Sequence, residues 1–494
     1  MMADSLRKKT LTGVAWAFSE KIGTQVVSFI VTVVLARLLS PSDYGAIGLL
    51  AVFLSVSQMF VDCGFGSALI RQKEKTDMDF STVFWYNFAI SSACYIVLFL
   101  AAPAIATYYK MPILKDVLRV IGLNLIIHAL YAIQVTRLTA NVQFGLQAKI
   151  AVLASVLSGA LGIILAYFGF GVWALVGQTM GAAVFAGVMF WLFSGWRPQF
   201  VFSCESFRRL FGFGAKIMAA SFLHTVYTNV SPLIIGRKYS AADLGFYSRG
   251  NSLAALPGGV FQSTLGRVIY PVLSSIQGDE ERLRSVYSKY LRLSTSLVAP
   301  AMLLLAACAK PVILLLLGEK WLPCCPYLQL LAIGWVSDPI VQVNLNILYV
   351  KGHSDIVLKL EILKKTIAIA IVVTAVQFGV LWLCIGRIVY AYIALFLNIY
   401  WCGPFIGMGF WRQMHEVFPI YLSAFVAAVI AYAAVVYDGL SLIFSNSLFV
   451  ANLTLLIVAA AIGLSTYMLL AWLQKFDFIV ELRNVALRIS KRVK

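Results

Sequence analysis

A few charged side chains interrupt apolar runs that are long enough to cross a membrane, and they are the residues best able to do chemistry. The cations are Lys21, Lys216, Arg249 and Arg267, and the only carboxylates we find inside the runs are Glu20 and Asp62. A charge inside a membrane span is costly, so by default it marks a route for a substrate or an ion. Lysine and arginine replace the hydration of a phosphate, whereas a carboxylate can hold a proton or Na⁺.

Neutral polar residues accompany these charges at helical spacing. In the first run they are Thr24, Gln25 and Ser28, beside Glu20 and Lys21, and in the run that holds Lys216 they are His224, Thr228 and Asn229. Residues four apart share a helix face, so each set forms a polar stripe. The stripes predict faces that line a cavity; the alternative is that they join packed helices within one lobe, and for Thr and Ser this alternative is favoured.

The remaining charged and titratable residues of the runs have simpler interpretations. Arg249 and Arg267 are 18 residues apart, roughly five turns or about 27 Å along one helix face. They are either two stations on a substrate route or side chains that reach lipid headgroups. Arg387 begins a run, which predicts the second role. His128 and His224 fit hydrogen-bonded interior residues better than titrating ones.

The composition places these residues in a membrane protein. The 494 residues are 61% hydrophobic and 12% charged, whereas a soluble domain is about half apolar and about a quarter charged. The runs lack strict alternation, so they predict helices. The fold class is therefore all-α integral membrane, with about fourteen transmembrane helices whose approximate ends are 11–36, 44–70, 80–107, 113–136, 147–168, 171–194, 207–236, 243–270, 287–309, 322–349, 357–378, 380–406, 413–437 and 446–474.

A short polar motif occurs twice, 200 residues apart. "ARLLSPSDYGAIG" begins at Ala36 and "GRKYSAADLGFYS" at Gly236, and both join a first and a second span. Ser40 with Asp43, and Ser240 with Asp243, have the spacing of a capping box, in which serine and carboxylate satisfy free amides at a helix start. Each copy therefore predicts a tight, capped hairpin.

A second recurring motif follows in the same order. "FGFGVWALVG" joins the fifth and sixth spans, and "FGVLWLCIG" joins the eleventh and twelfth. Six spans thus occur twice in the same orientation, which is transporter architecture with a site between repeats near the midplane. The predicted organisation is a cytoplasmic N-terminus (1–10), an N-lobe (11–194), a linker (195–206), a C-lobe (207–406), two extra helices (413–474) and a basic amphipathic tail (475–494).

Lysine and arginine are concentrated in alternate loops. They are abundant in 71–75, 197–209 and 282–292 and in the tail, which the positive-inside rule places in the cytoplasm with both termini. This distribution accounts for much of the net charge of +18 without nucleic-acid binding. The sequence thus predicts a multi-pass membrane protein in contact with membrane lipids.

Several longer stretches resemble a known family. They are "LARLLSPSDYGAIGL", "DCGFGSALIRQKE", "LPGGVFQSTLGRVIYPVLSSIQGDEERLRSVYSKYL" and "GEKWLPCCPYLQLL". With them the chain resembles the polysaccharide-transporter branch of the multidrug/oligosaccharidyl-lipid/polysaccharide flippase superfamily, in particular the exporters of exopolysaccharide, teichuronic acid, colanic acid and O-antigen (lipopolysaccharide) units. The resemblance covers spans one to ten.

The resemblance implies two six-helix lobes in a V around a central cavity that alternates between inward- and outward-open states. The implied substrate is a polyprenyl-diphosphate-linked oligosaccharide, flipped to the outer leaflet for surface polysaccharide biosynthesis. The cations above then suit its anionic diphosphate headgroup. Glu20 or Asp62 suits a coupling H⁺ or Na⁺, and Glu20 is favoured because it lies on the polar stripe. A polysaccharide polymerase and glycosyltransferases are the expected partners.

Other functions are less compatible with the sequence. No paired-carboxylate loop or GxxxxGK[ST] phosphate loop is present, and the eight cysteines show no metal spacing, so we expect no enzyme activity, cofactor or metal. A drug or cation antiporter of the same superfamily needs a mainly acidic cavity, whereas the excess here is cationic. A flippase for the peptidoglycan lipid precursor remains an alternative.

The predicted orientation can be tested by cysteine labelling in intact cells. A cysteine in the 71–79 loop or in the tail should be protected from an impermeant thiol reagent, and a cysteine replacing Ser42 should react. Labelling of the 71–79 loop would contradict the orientation.

Overall fold

The computed structural model describes residues 2–72, 75–437 and 448–479, and this part of the chain is helical, without a strand. Contacts divide the chain into two compact units, Met1–Gly245 and Phe246–Lys494. The first holds α1 Met2–Leu38, α2 Pro41–Asp62, α3 Phe65–Arg71, α4 Asp77–Tyr108, α5 Ile113–Ile121, α6 Leu123–Ala140, α7 Phe144–Tyr167, α8 Val172–Phe193, α9 Cys204–Lys238 and the start of α10 Ala241–Ser275.

The second unit continues from within α10. It holds α11 Glu280–Ala307, α12 Ala309–Leu316, a 3-10 turn at Glu319–Cys324, α13 Cys325–Trp335, α14 Asp338–Val350, α15 Ser354–Ala375, α16 Val380–Ile406, α17 Phe410–Val436 and α18 Leu448–Leu473.

Membrane-spanning helices dominate both units. Among the described residues, 11 candidate spans are long and apolar enough to cross a bilayer. The predicted spans 207–236, 243–270 and 357–378 are not among them, yet each coincides with a long helix: α9, α10 and α15. The all-α membrane fold is confirmed, and the total of fourteen spans stays a prediction.

Both predicted hairpin caps are present. Asp43 N donates to Ser40 Oγ at 3.3 Å, while Ser40 N donates to Asp43 Oδ2 at 3.0 Å. In the second copy, Asp243 N to Ser240 Oγ and Ser240 N to Asp243 Oδ2 are both 3.1 Å. Each box satisfies two amides that the helix start leaves free. The capping-box prediction is therefore confirmed at both sites.

The two hairpins also contact each other through a pair of glycines. A β-carbon at Gly45 would collide with the carbonyl oxygen of Ala241, and one at Gly245 would collide with the carbonyl oxygen of Pro41. Gly45 and Gly245, like Pro41 and Ala241, occupy equivalent positions of the repeat. The contact is therefore reciprocal, as in an isologous interface, and only glycine permits this approach.

The linker 195–206 is bound to the start of α4. Trp85 Nε1 donates to Gln199 O at 2.8 Å, and Ser203 N donates to Thr82 Oγ1 at 3.1 Å. The fully buried carboxylate of Asp79 accepts from Arg209 at 2.6 Å. The linker and the beginning of α9 thus belong structurally to the first unit, and α9 continues along α2, α3 and α4. The predicted lobe boundary at 195–206 stays a prediction.

In the second unit, α11 and α17 pack along each other around a buried polar cluster. Tyr287 Oη donates to Gln413 Oε1 at 2.8 Å, and Asn344 Nδ2 donates to the same oxygen at 3.1 Å. All three residues are fully buried. Because each donor has an acceptor, the cluster fixes the helices together without leaving a polar group unsatisfied.

The start of the predicted tail is attached to this unit. Arg292 Nε donates to Asp477 Oδ2 at 2.7 Å. The Phe478 ring stacks on the Tyr467 ring, with the two ring centres 6.0 Å apart. Phe478, which the amphipathic pattern assigns to the lipid-facing side of the tail, is buried in protein. The rest of the tail, 480–494, lies outside the described residues.

The glycine contact predicts that Gly45→Ala and Gly245→Ala each lower the melting temperature of the purified protein. The added methyl meets a backbone carbonyl, which cannot rotate away, and overpacking of this kind costs about 1–3 kcal/mol. Gly259→Ala, where a β-carbon meets nothing within 4 Å, is the matched control on a helix. Unchanged melting of Gly45→Ala would contradict the close contact.

Candidate functional site

The polar stripe of α1 is only partly available for a ligand. Thr24 Oγ1 donates to Glu20 O at 2.7 Å, so this hydroxyl is satisfied within its own helix. Glu20 is half-buried, and Gln25 and Ser28 are exposed. The stripe therefore offers Gln25 and Ser28 for contacts beyond α1.

The stripe of α9 is less completely described. Asn229 Nδ2 donates to Thr225 O at 2.8 Å and Thr228 Oγ1 donates to the same oxygen at 3.1 Å. These bonds again lie within one helix. The side chain of His224 lies outside the described residues.

The four predicted substrate cations divide equally between the units. Lys21, exposed on α1, and Lys216 on α9 belong to the first unit, and Arg249 and Arg267 on α10 belong to the second. Arg249 is half-buried. The side chains of Lys216 and Arg267 lie outside the described residues. A shared role for the four cations remains a prediction.

Asp62 belongs to a polar cluster that joins α2 to α6. Gln58 Nε2 donates to Asp62 Oδ1 at 2.9 Å and lies 3.0 Å from His128 Nδ1. One amide nitrogen carries two N–H groups, so it can serve both partners when Nδ1 is an acceptor. The expectation that His128 is a hydrogen-bonded interior residue is confirmed. Its partner, Gln58, is one turn from Asp62 on α2.

The backbone leaves the helix directly after Asp62. Cys63 adopts φ 40° and Gly64 φ 67°, both in the left-handed region. A non-glycine residue there is uncommon and is strained, and strain of this kind is concentrated at functional sites. A β-carbon at Gly214 of α9 would collide with the Cys63 carbonyl oxygen, so α9 covers this break closely.

Arg387 does not take the role predicted for it. The expectation that it reaches lipid headgroups is wrong: its guanidinium carbon lies 5.6 Å from the ring centre of Trp335, and its Nε is buried. Trp335 ends α13, and a cation over an aromatic face is stabilised there. Arg387 is thus held inside the second unit.

The expectation that Glu20 and Asp62 are the only carboxylates inside spans is also wrong. Asp338 begins α14 within the span Glu319–Val350 and interacts electrostatically with Arg387 and Lys364. Lys364, only 4% exposed, forms an ion pair with Glu361 on α15. The sequence signal for Asp338 is Ser-Asp-Pro, a helix start inside an apolar run.

A polar cavity of about 480 Å³ lies within the first unit, among α1, α6, α7 and α8. Ser28 of the α1 stripe is one of its lining residues, and its other polar residues are neutral. No sequence motif indicated it, because small and neutral residues on four separate helices form it. The helices approach closely at Gly159, which faces Val31, and at Gly162, which faces Gln178.

Comparison with known proteins gives a family match over residues 34–326, more than half of the chain, to the model described as "polysaccharide biosynthesis protein". A similar protein is the succinoglycan biosynthesis transport protein of Rhizobium meliloti (strain 1021), 28% identical over 67% of this chain and 68% of its own length. Another is a lipopolysaccharide biosynthesis protein of Escherichia coli (strain K12), 25% identical over 85% of this chain and 86% of its own length.

Among solved structures, the lipid II flippase MurJ in an inward closed conformation is similar to this chain. The TM-score is 0.75 at 15% identity, over 94% of this chain and 100% of that one. At this identity the similarity shows a common fold and nothing about the substrate.

Proposed function

We propose that this chain, which belongs to the polysaccharide biosynthesis protein family, is a flippase that carries lipid-linked oligosaccharide across the bacterial inner membrane for surface polysaccharide biosynthesis. The family match over residues 34–326 is the observation that carries this proposal. The relatives from R. meliloti and E. coli are named for succinoglycan transport and lipopolysaccharide biosynthesis. The fold, in which membrane-spanning helices account for most of the described chain, suits transport.

Within this proposal the substrate is an oligosaccharide on a polyprenyl diphosphate, moved by alternating access. Its diphosphate is bound in turn along the route by Lys21, Lys216, Arg249 and Arg267, because Arg249 and Arg267 are too far apart on α10 to hold one diphosphate together. Charged groups at membrane depth are rare and functional by default, and ammonium and guanidinium groups form charge-assisted hydrogen bonds to phosphate oxygens. Glycosyltransferases on the cytoplasmic side supply the substrate, and a polymerase on the outer side consumes it.

Neutralising the headgroup cations tests this assignment. Each single variant, Lys21→Gln, Lys216→Gln, Arg249→Gln and Arg267→Gln, should lower the affinity for polyprenyl diphosphate by about one to two decades, because a charge-assisted bond contributes roughly 1.5–3 kcal/mol. The measurements are binding to the purified protein and appearance of lipid-linked oligosaccharide in the outer leaflet, at matched membrane abundance.

Two kinds of variant serve as controls for that experiment. Lys↔Arg exchanges keep the charge and should do less harm than Gln. Lys115→Gln removes an exposed cation on α5 that has no proposed role. Normal binding and export in all four Gln variants would place the headgroup elsewhere.

The cluster around Asp62 supports a second part of the proposal, coupling to an ion gradient. Asp62 holds H⁺ or Na⁺ in one conformation and releases it in the other, and the amide of Gln58 links its carboxylate to His128. The left-handed backbone at Cys63 lets the chain turn beside the carboxylate. Glu20, half-buried on α1, is the other candidate, and the contacts of Asp62 favour Asp62.

Coupling is tested in energised membrane vesicles in which the proton or the sodium gradient is collapsed separately. Asp62→Asn should abolish the gradient-dependent part of export and leave binding of lipid-linked oligosaccharide within about threefold of wild type. Glu20→Gln should have the smaller effect, and Asp116→Asn, an exposed carboxylate on α5, none. If wild-type export ignores both gradients, transport is passive and is driven by polymerisation outside.

A further inference from the structure

The cavity within the first unit has the size and the walls of a binding site. Its volume of about 480 Å³ lies in the range of about 300–1,000 Å³ that is typical of small-molecule sites. Every lining residue belongs to a membrane-spanning helix, so the cavity lies at membrane depth. Small residues of α7 and α8, such as Ala154 and Ala183, provide the space.

The polar lining is neutral. It includes the hydroxyls of Ser28, Tyr131 and Ser155 and the amides of Asn124 and Gln178. These groups include both donors and acceptors. The Oδ1 atom of Asn124 is buried without a hydrogen-bond partner, so the lining has acceptor capacity that the protein does not use. A matching ligand is uncharged and carries several hydroxyl groups.

A second cavity in the same unit provides a contrast. It measures about 540 Å³, and its lining, which includes Phe170, Trp173 and Met180, is apolar. A lipid chain is suited to that surface. The chain forms no hydrogen bonds, so it leaves no polar group without a partner there. If a lipid chain filled the polar cavity, the amides and hydroxyls of its lining would have no hydrogen-bond partner, and each such group would cost binding free energy.

We propose that the polar cavity of the first unit binds a neutral sugar residue of the transported lipid-linked oligosaccharide. This inference rests on the proposed function and assigns a place to the part of the substrate that the headgroup cations do not bind. Sugar hydroxyls both donate and accept, as the mixed amides and hydroxyls of the cavity require. Tyr131 adds an aromatic ring, fixed by stacking on Phe190 at 5.6 Å.

The position of the cavity connects it to the other parts of the site. Ser28 lies on the α1 stripe, one turn from Thr24 and two turns from Glu20, so the stripe leads to the cavity. On the other side, the centres of the Tyr131 and His128 rings are 5.1 Å apart. A sugar in contact with Tyr131 is therefore one side chain away from the cluster of Asp62, Gln58 and His128.

The test compares two lipids on the full chain in nanodiscs. One is the lipid-linked oligosaccharide extracted from cells that lack this transporter, and the other is polyprenyl diphosphate without sugar. Wild type should bind the sugar-bearing lipid about tenfold more tightly, which one or two net hydrogen bonds provide. Ala183→Phe fills the cavity, and Gln178→Ala removes a polar group without adding volume.

Both variants should reduce that ratio of affinities towards one while leaving binding of polyprenyl diphosphate unchanged. Val188→Phe, on the same helix but 53% exposed, adds the same kind of bulk outside the cavity and should keep the wild-type ratio. A melting curve for each variant shows whether it is folded, and if Ala183→Phe is unstable, Gln178→Ala decides.

A ratio near one in wild type, or an unchanged ratio in Gln178→Ala and in folded Ala183→Phe, would overturn the proposal and leave the cavity to water. Failure of the proposed function gives a different result. In that case no lipid-linked oligosaccharide accumulates in cells without the transporter, or neither lipid binds.

Discussion

Every backbone amide and carbonyl of this chain that lies in lipid must find its hydrogen-bond partner inside the protein, because the hydrocarbon offers none. Continuous helices meet this condition by themselves, so the positions where a helix begins or ends are where side chains must help. At the two hairpins, which are predicted to lie outside the membrane, Ser40 with Asp43 and Ser240 with Asp243 satisfy free amides of the helix starts. The break after Asp62 is covered by α9 at Gly214. The arrangement of the helices depends on these few positions.

The same condition separates two kinds of polar residue in the membrane. Tyr287, Asn344 and Gln413 satisfy one another and are fully buried, so they join helices and have no capacity for a ligand. Around the polar cavity of the first unit, by contrast, the acceptor of Asn124 has no partner. A buried polar group that has no partner is costly, and in the proposed sugar site a hydroxyl of the ligand satisfies it.

The sequence predicts well whatever depends on local spacing. The long apolar helices and both capping boxes follow from neighbours in the chain. What depends on distant segments is harder to predict. The contact of Arg387 with Trp335 joins two helices, and that of the linker with α4 joins segments more than 100 residues apart. The polar cavity consists of alanines and neutral side chains on four helices, none of which is unusual alone. Asp338 is different, because its Ser-Asp-Pro signal was present and was hidden within an apolar run.

The reciprocal contact of Gly45 and Gly245 has an evolutionary consequence. If the repeat arose by gene duplication, a half-length ancestor met a second copy of itself at this same surface, and fusion of the two genes preserved the contact. Glycine is then expected to be retained at both positions in relatives that share the repeat, because a β-carbon at either one would collide with a backbone carbonyl of the other half.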